Sequence, residues 1–304
     1  MMSQNKIIEC VINISEGKDQ HIIDQVIAPF LNTPRVTCMN VEADADYHRT
    51  VISIMGEANA LVQSVVAACE IAIDLIDLTK HQGEHPRMGA VDVVPFIPIA
   101  HATMDDCIAC AHQVAKQLAQ NKQVPIYLYE EAATHHDRKN LAAIRKGEFE
   151  GLFEKMKRDD FIPDYGPTSP HPTAGAIAIG ARMPLIAYNI DLATHDVEVA
   201  KAIAKKIRFS SGGFECVKAG GVKIEQTNTT QVTMNLTNYQ ITNMHVVFDE
   251  VVALAKTYDT KVTGSEIVGL IPLESLLMSV SHYLKFTHSL KGKILDDYIK
   301  EIKA

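Results

Sequence analysis

Val93-Val-Pro-Phe-Ile-Pro-Ile99 is matched near the other end of the chain by Ile267-Val-Gly-Leu-Ile-Pro-Leu273. Asn13-Ile-Ser and Asn189-Ile-Asp form a second pair at nearly the same offset. Two faint matches at one spacing point to an internal duplication. The element pattern before each match supports it. Ile7 to Ile14 reads as a buried strand, and Ile22, Ile23, Val26, Ile27, Phe30 and Leu31 as one helix stripe that Asn32 to Pro34 terminates. Val36 to Val41 and Thr50 to Met55 read as strands joined by the polar turn Asp44 to Arg49, and Val62 to Ile76 as a helix before a strand over Val91 to Ile97. That order is βαββαβ, the ferredoxin-like unit.

The order starts again at Pro184. Leu185 to Ile190 reads as a strand, Thr194 as the cap of a helix ending at Lys205, Lys206 and Arg208, and Phe214 to Ile224 and Thr229 to Leu236 as two strands. A helix from His245 and a strand over Ile267 to Ile271 complete the second unit. Between the units lie a helix from Met104 to Asn121, a strand from Pro125 to Tyr129, a charged helical stretch through Lys157, and a stiff loop from Ile162 to Gly175 with four prolines and two glycines. The expected fold is α+β, two ferredoxin-like βαββαβ subdomains over residues 1–180 and 181–304 with a ligand cleft between them.

At 304 residues and 47% hydrophobic, the chain can bury one large core or two modest ones. No apolar run reads as transmembrane, and the start leads into a strand-like run instead of a signal sequence. The net charge of -8 argues against nucleic acid or an acidic membrane as partner, since both demand a basic face. Six scattered cysteines give no disulfide framework. Cys107 and Cys110 share a helical stripe with Ala111, Val114 and Leu118, the place of core thiols. The cytoplasm is the expected compartment.

Chemistry concentrates in the loop His81-Gln-Gly-Glu-His-Pro-Arg-Met-Gly-Ala-Val-Asp92. His81, Glu84 and His85 have the spacing of an inverted zinc-peptidase motif, but that motif requires a helix, which Gly83 and Pro86 disfavour. The histidines could also be plain hydrogen-bonding groups. The third reading, acid/base chemistry by His85 beside Glu84 and Arg87, suits a group that titrates near neutrality. Gly175 to Arg182 has P-loop glycine spacing without the Lys-[Ser/Thr], so its small residues suit close approach of a flat ligand or a backbone. Asp44 and Asp46 suit a turn, Gly220-Gly221 a bulge or close approach, and Asn228 or Asn235 could donate to a carboxylate.

These residues resemble the formiminotransferase family, including the amino-terminal half of formiminotransferase-cyclodeaminase. The resemblance runs through Glu9 to Gly17, His81 to Pro98, Tyr127 to Tyr129, Gly166 to Arg182 and Val268 to Leu273, and is strongest over Gly83 to Asp92. It implies two formiminotransferase subdomains in a homodimer, no metal, and His85 as the catalytic acid/base. It further implies folate binding by Gly166, Pro167, Thr168, Ser169, Pro170, His171, Pro172, Thr173, Ala174 and Gly175. The implied reaction moves the formimino group of N-formimino-L-glutamate to N5 of tetrahydrofolate, in histidine degradation and one-carbon metabolism. Arg87 or Arg49 could then grip substrate carboxylates bidentately. Two alternatives stay open, formyl transfer from N-formylglutamate and a non-catalytic folate-binding protein.

Overall fold

Every second side chain of β1 (Ile7–Ile14) is buried, placing Ile8, Cys10, Ile12 and Ile14 on one face of a sheet. The computed structural model describes residues 5–83, 85–224 and 229–295. They fall into two compact units, Met1–Met183 and Pro184–Ala304.

In the first unit α1 (Gln20–Asn32) starts where the Asp19 carboxylate accepts the N–H groups of His21 and Ile22, and it buries Ile23, Val26 and Phe30. β2 (Val36–Asp44) and β3 (Arg49–Glu57) form a hairpin whose turn is closed by the Asp44 carboxylate, which accepts the N–H groups of Asp46 and Tyr47. α2 (Ala58–Leu75), β4 (Val91–Ala100) and α3 (Met104–Lys122) follow, α3 opening with a reciprocal capping box between Thr103 and Asp106. By length and composition α2 could cross a membrane, contrary to the sequence expectation. Its Leu61, Val62, Val65, Cys69 and Ala72 instead join the core under the sheet.

The expected charged helix through Lys157 is broken. Beyond β5 (Ile126–Glu130) the chain makes two short helices, α4 (Leu141–Arg145) and α5 (Glu148–Lys155), separated at Gly147. The Gly175 to Arg182 stretch holds β6 (Ile177–Ala181), a fully buried strand parallel to β4 and β5. That placement explains its small residues: a Cβ on Gly180 would lie 2.6 Å from the Tyr129 ring. The sheet order is β2-β3-β1-β4-β6-β5. One face packs on α1, α2 and α3; on the other, Val93, Tyr127, Tyr129 and Ala178 pack with Ile144, Leu152, Met156 and Phe161 of the α4–α5 segment and its flank.

The second unit runs β7 (Ile186–Leu192), α6 (Val197–Ile207), β8 (Val217–Ile224), β9 (Thr229–Leu236), α7 (Met244–Thr257), β10 (Val262–Val268) and α8 (Leu273–Leu284). Its strand order β10-β7-β9-β8 is the order β4-β1-β3-β2 of the first unit. Two local expectations are corrected. The cap of α6 is Asp196, whose carboxylate accepts the Glu198 N–H, while the Thr194 hydroxyl accepts the N–H of Asp196 one turn earlier. The last strand lies at 262–268 and not 267–271, because an edge strand paired only with β7 tolerates Thr263, Gly264 and Ser265, and Pro272 already caps α8. Gly221 marks a close approach, since a Cβ there would lie 2.3 Å from the Lys201 nitrogen of α6. Asn235 is exposed on β9, and Asn228 lies outside the described residues.

Candidate active site

The described residues of the loop between α2 and β4 form no helix, and other parts of the first unit supply hydrogen bonds to it. Leu78 N–H donates to the Thr173 carbonyl at 2.9 Å, Ala90 N–H to Ala174 at 3.0 Å and His85 N–H to Tyr47 at 3.3 Å. Ser15 donates its hydroxyl to the Gly89 carbonyl at 2.8 Å. A single-residue bridge pairs Gly89 with Gly175, and Ala176 N–H reaches the Met88 carbonyl at 3.1 Å. Gly175 has φ +67°, and a Cβ on it would meet the Met88 oxygen at 2.1 Å. The end of the 166–175 segment and the 81–92 loop therefore touch backbone to backbone, which only glycine permits.

His85 is 4% exposed, and its Nε2 lies 3.2 Å from Oδ2 of the wholly buried Asp92. A bulge delivers that carboxylate. Along β4 the step from Val91 to Val93 is matched on β1 by the single step from Ile14 to Asn13, which leaves Asp92 as the extra residue. The Met88 N–H donates to its other oxygen at 3.0 Å, and the Arg145 guanidinium donates to Oδ2 from α4. Burial opposes ionisation of Asp92, but the hydrogen bond from His85, the Arg145 charge and the Met88 N–H outweigh it, and its carboxyl sits below the usual range.

His81 has both ring nitrogens engaged. Nε2 lies 2.8 Å from the His48 carbonyl, and Nδ1 accepts from Arg87 Nε at 3.2 Å, so the ring is the neutral Nε2–H tautomer. Burial is the largest cause lowering its pKa, and the nearby charges of His48 and Arg87 act the same way. It stacks on His48 with ring centres 4.2 Å apart, and His48 Nε2 in turn lies 3.1 Å from Glu16.

Arg87 is buried as well. Its guanidinium donates to Glu150 at 2.7 and 2.9 Å and to Glu148 at 3.1 Å, while Phe149 N–H reaches its carbonyl at 2.9 Å. The loop is thus tied to α5 by an arginine fully committed to protein partners. Arg49 opens β3 with its guanidinium 5.2 Å over the Tyr47 ring. Glu84 lies outside the described residues.

Within the 166–175 segment the two ends behave differently. His171 accepts the Ala174 N–H at Nδ1 (3.0 Å), and its pKa is lowered, chiefly by burial. Thr168, Ser169 and Pro170 line a cavity of about 750 Å³ together with Phe153, Lys157 and Arg158. Such a volume lies within the range of ligand sites.

The structure thus brings His81, His85, Arg87 and the end of the proline-rich segment together, with Arg49 joined to them through Tyr47. Sequence reasoning gave no role to Asp92, Arg145, Glu148, Glu150 or His48. Asp92 carried a signal, a carboxylate inside the apolar run Val91 to Ile97. Arg145 carried none, since nothing in a charged stretch tells which arginine turns inward.

Residues 7–182 match the family model for the formiminotransferase domain, N-terminal subdomain, and residues 187–299 the model for the formiminotransferase domain. The chain belongs to the formiminotransferase family. A glutamate formimidoyltransferase of Streptococcus pyogenes serotype M1 is 42% identical over 92% of this chain and 94% of its own. One from Thermoplasma acidophilum is 38% identical over 95% of this chain and 96% of its own. The formimidoyltransferase-cyclodeaminase of Dictyostelium discoideum is 42% identical, but the match covers 92% of this chain and only 53% of that protein.

Proposed function

We propose that the protein is a glutamate formimidoyltransferase, a folate-dependent transferase that moves the formimino group of N-formimino-L-glutamate to N5 of tetrahydrofolate. The observation that carries the reading is the buried His85–Asp92 pair, held by a loop that also contacts the 166–175 segment, in a chain of this family. Attack of an amine on the amidine carbon leaves a surplus proton on the attacking nitrogen, and the departing glutamate nitrogen needs one. His85 takes the first and returns it to the second, a positioned transfer that contributes about 10²- to 10⁴-fold. Alignment of two substrates supplies a comparable share.

Thr168, Ser169 and Pro170 give the folate its contact surface in this proposal, and the backbone joins at Gly89 and Gly175 fix that surface relative to His85. Arg87 is already held by two glutamates, so Arg49 is the better candidate for a substrate carboxylate; no carboxylate partners it among the described residues. The shared strand order and the paired sequence matches support a duplication of a ferredoxin-like unit. Family resemblance is the basis for a homodimer, a cytoplasmic location and a place in histidine degradation and one-carbon metabolism.

The test is a competition. Purified protein receives tetrahydrofolate with N-formimino-L-glutamate or N-formyl-L-glutamate, and glutamate release is followed. Preferential turnover of the formimino donor is expected; folate binding without turnover of it overturns the proposal.

A further inference from the structure

The carboxylate that ends the loop binds both His85 and Arg145 of α4, and that geometry bears on how His85 works. Building on the reading of His85 as proton carrier, we infer that Asp92 and Arg145 are a positioning pair: Asp92 makes Nδ1 the proton-transfer atom of His85, and Arg145 keeps the ring able to release the proton it accepts.

An ionised carboxylate only accepts hydrogen bonds, so the nitrogen facing Asp92 carries the hydrogen and Nδ1 carries the lone pair. Asp92 cannot turn away, because the bulge fixes its backbone and the Met88 N–H holds its second oxygen. A buried carboxylate with no other partner would hold the imidazolium strongly and stall the return of the proton. Arg145 shares Oδ2 with His85 and offsets that charge.

The arginine is presented by a rigid element. α4 is only five residues long, yet Lys155 Nζ donates to the carbonyls of Ala143, Ile144 and Lys146 at 2.8, 2.8 and 3.1 Å, closing its C-terminal end. Among the described residues, the charged and titratable side chains around the ring are few. His81 and Arg87 on its own loop are paired with each other, and Arg87 with Glu148 and Glu150 of α5; His48 of the hairpin turn is paired with Glu16. Asp92 of β4 and, through it, Arg145 of α4 face His85 directly.

The experiment reads the His85 ring itself. In protein labelled with ¹⁵N-histidine, the His85 signals are assigned by their absence in His85→Gln, and the tautomer is read from the two nitrogen shifts at pH 8. Wild type is expected as the Nε2–H tautomer. Asp92→Asn shifts the population toward Nδ1–H and lowers kcat with N-formimino-L-glutamate and tetrahydrofolate by ~100-fold or more, with KM changed less than about threefold. Arg145→Met keeps the tautomer but lowers kcat by ~10-fold or more with KM changed less than about threefold, and Arg145→Lys restores most of the rate. An Nδ1–H tautomer in wild type, or an Asp92→Asn ring unchanged with near-normal kcat, overturns the role of Asp92. A near-normal kcat in Arg145→Met overturns that of Arg145, and it does so even where Asp92→Asn fails to fold. Absence of turnover in wild type would instead refute the assigned reaction, because the ring signals do not depend on it.

Discussion

Replacing Gly175 with alanine tests whether the two chemical segments are joined as the backbone contacts imply. The residue has φ +67°, where an L side chain costs ~1–2 kcal/mol. The added methyl would lie 2.1 Å from the Met88 carbonyl oxygen, a backbone atom with no rotamer to escape into. Relief requires parting the 166–175 segment from the 81–92 loop, which opens the Ala176-to-Met88 and Ala90-to-Ala174 hydrogen bonds at ~1 kcal/mol each. Reduced freedom of the unfolded chain returns ~0.5–1 kcal/mol. The expected loss is about 2–4 kcal/mol by these increments, with a weaker folate affinity. Two further substitutions calibrate it. Gly151 in α5 has nothing within 4 Å, so alanine there should stabilise by ~0.5–1 kcal/mol, whereas Gly212, equally open but at φ +89°, should cost ~1 kcal/mol. With no tryptophan in the chain, urea unfolding is followed by far-ultraviolet circular dichroism. A Gly175→Ala protein indistinguishable in stability from Gly212→Ala would refute the argument.

Three other expectations follow from buried groups. Arg138 and Asp164 pair at 3.1 Å with both side chains nearly buried, so Arg138→Met should cost about 3 kcal/mol in urea unfolding and Asp164→Asn added to it should recover part; a single-variant cost below about 1 kcal/mol contradicts this. His81 holds its proton less readily folded than unfolded, so as pH falls below ~6.5 the unfolded chain takes up more protons and stability declines. His81→Asn should flatten the stability slope between pH 7.5 and 5.5, with His171 and His245 leaving a residual slope of the same sign; an unchanged slope refutes it. Burial pushes the Cys107 thiol to about 12 and Cys110 to about 11, and Cys10 and Cys69 are fully buried, so alkylation with iodoacetamide should begin at Cys38 and Cys216. Mass spectrometry showing early modification of Cys69 or Cys107 would count against it.

Much of the fold was legible because strands such as β1 and β7 alternate and the long helices bury one stripe each. The alternation of β1 and the spacing of Ile23, Val26 and Phe30 in α1 state their buried faces directly. The pattern misled where burial does not set the sequence. β10 is an edge strand with an open face, so its polar residues hid it and the apolar run after it drew the reading. The α4–α5 segment looked like one helix because Gly147 sits in a run rich in helix formers. At the site, His85 was legible from a dense local motif, since His81, Glu84, His85 and Arg87 fall within seven residues. Arg145 lies 53 residues from the carboxylate it binds, and only the sheet and the α4 fold bring them into contact. Arg87 was read as a free clamp for substrate because its glutamates, 61 and 63 residues away, are equally beyond local pattern.

The most direct test is single-turnover and steady-state glutamate release from N-formimino-L-glutamate in the presence of tetrahydrofolate, for wild type and a folded His85→Ala variant. Transfer by wild type and a fall in kcat of ~100-fold or more in the variant are predicted. Equal rates from the two proteins would contradict the central role given to that imidazole.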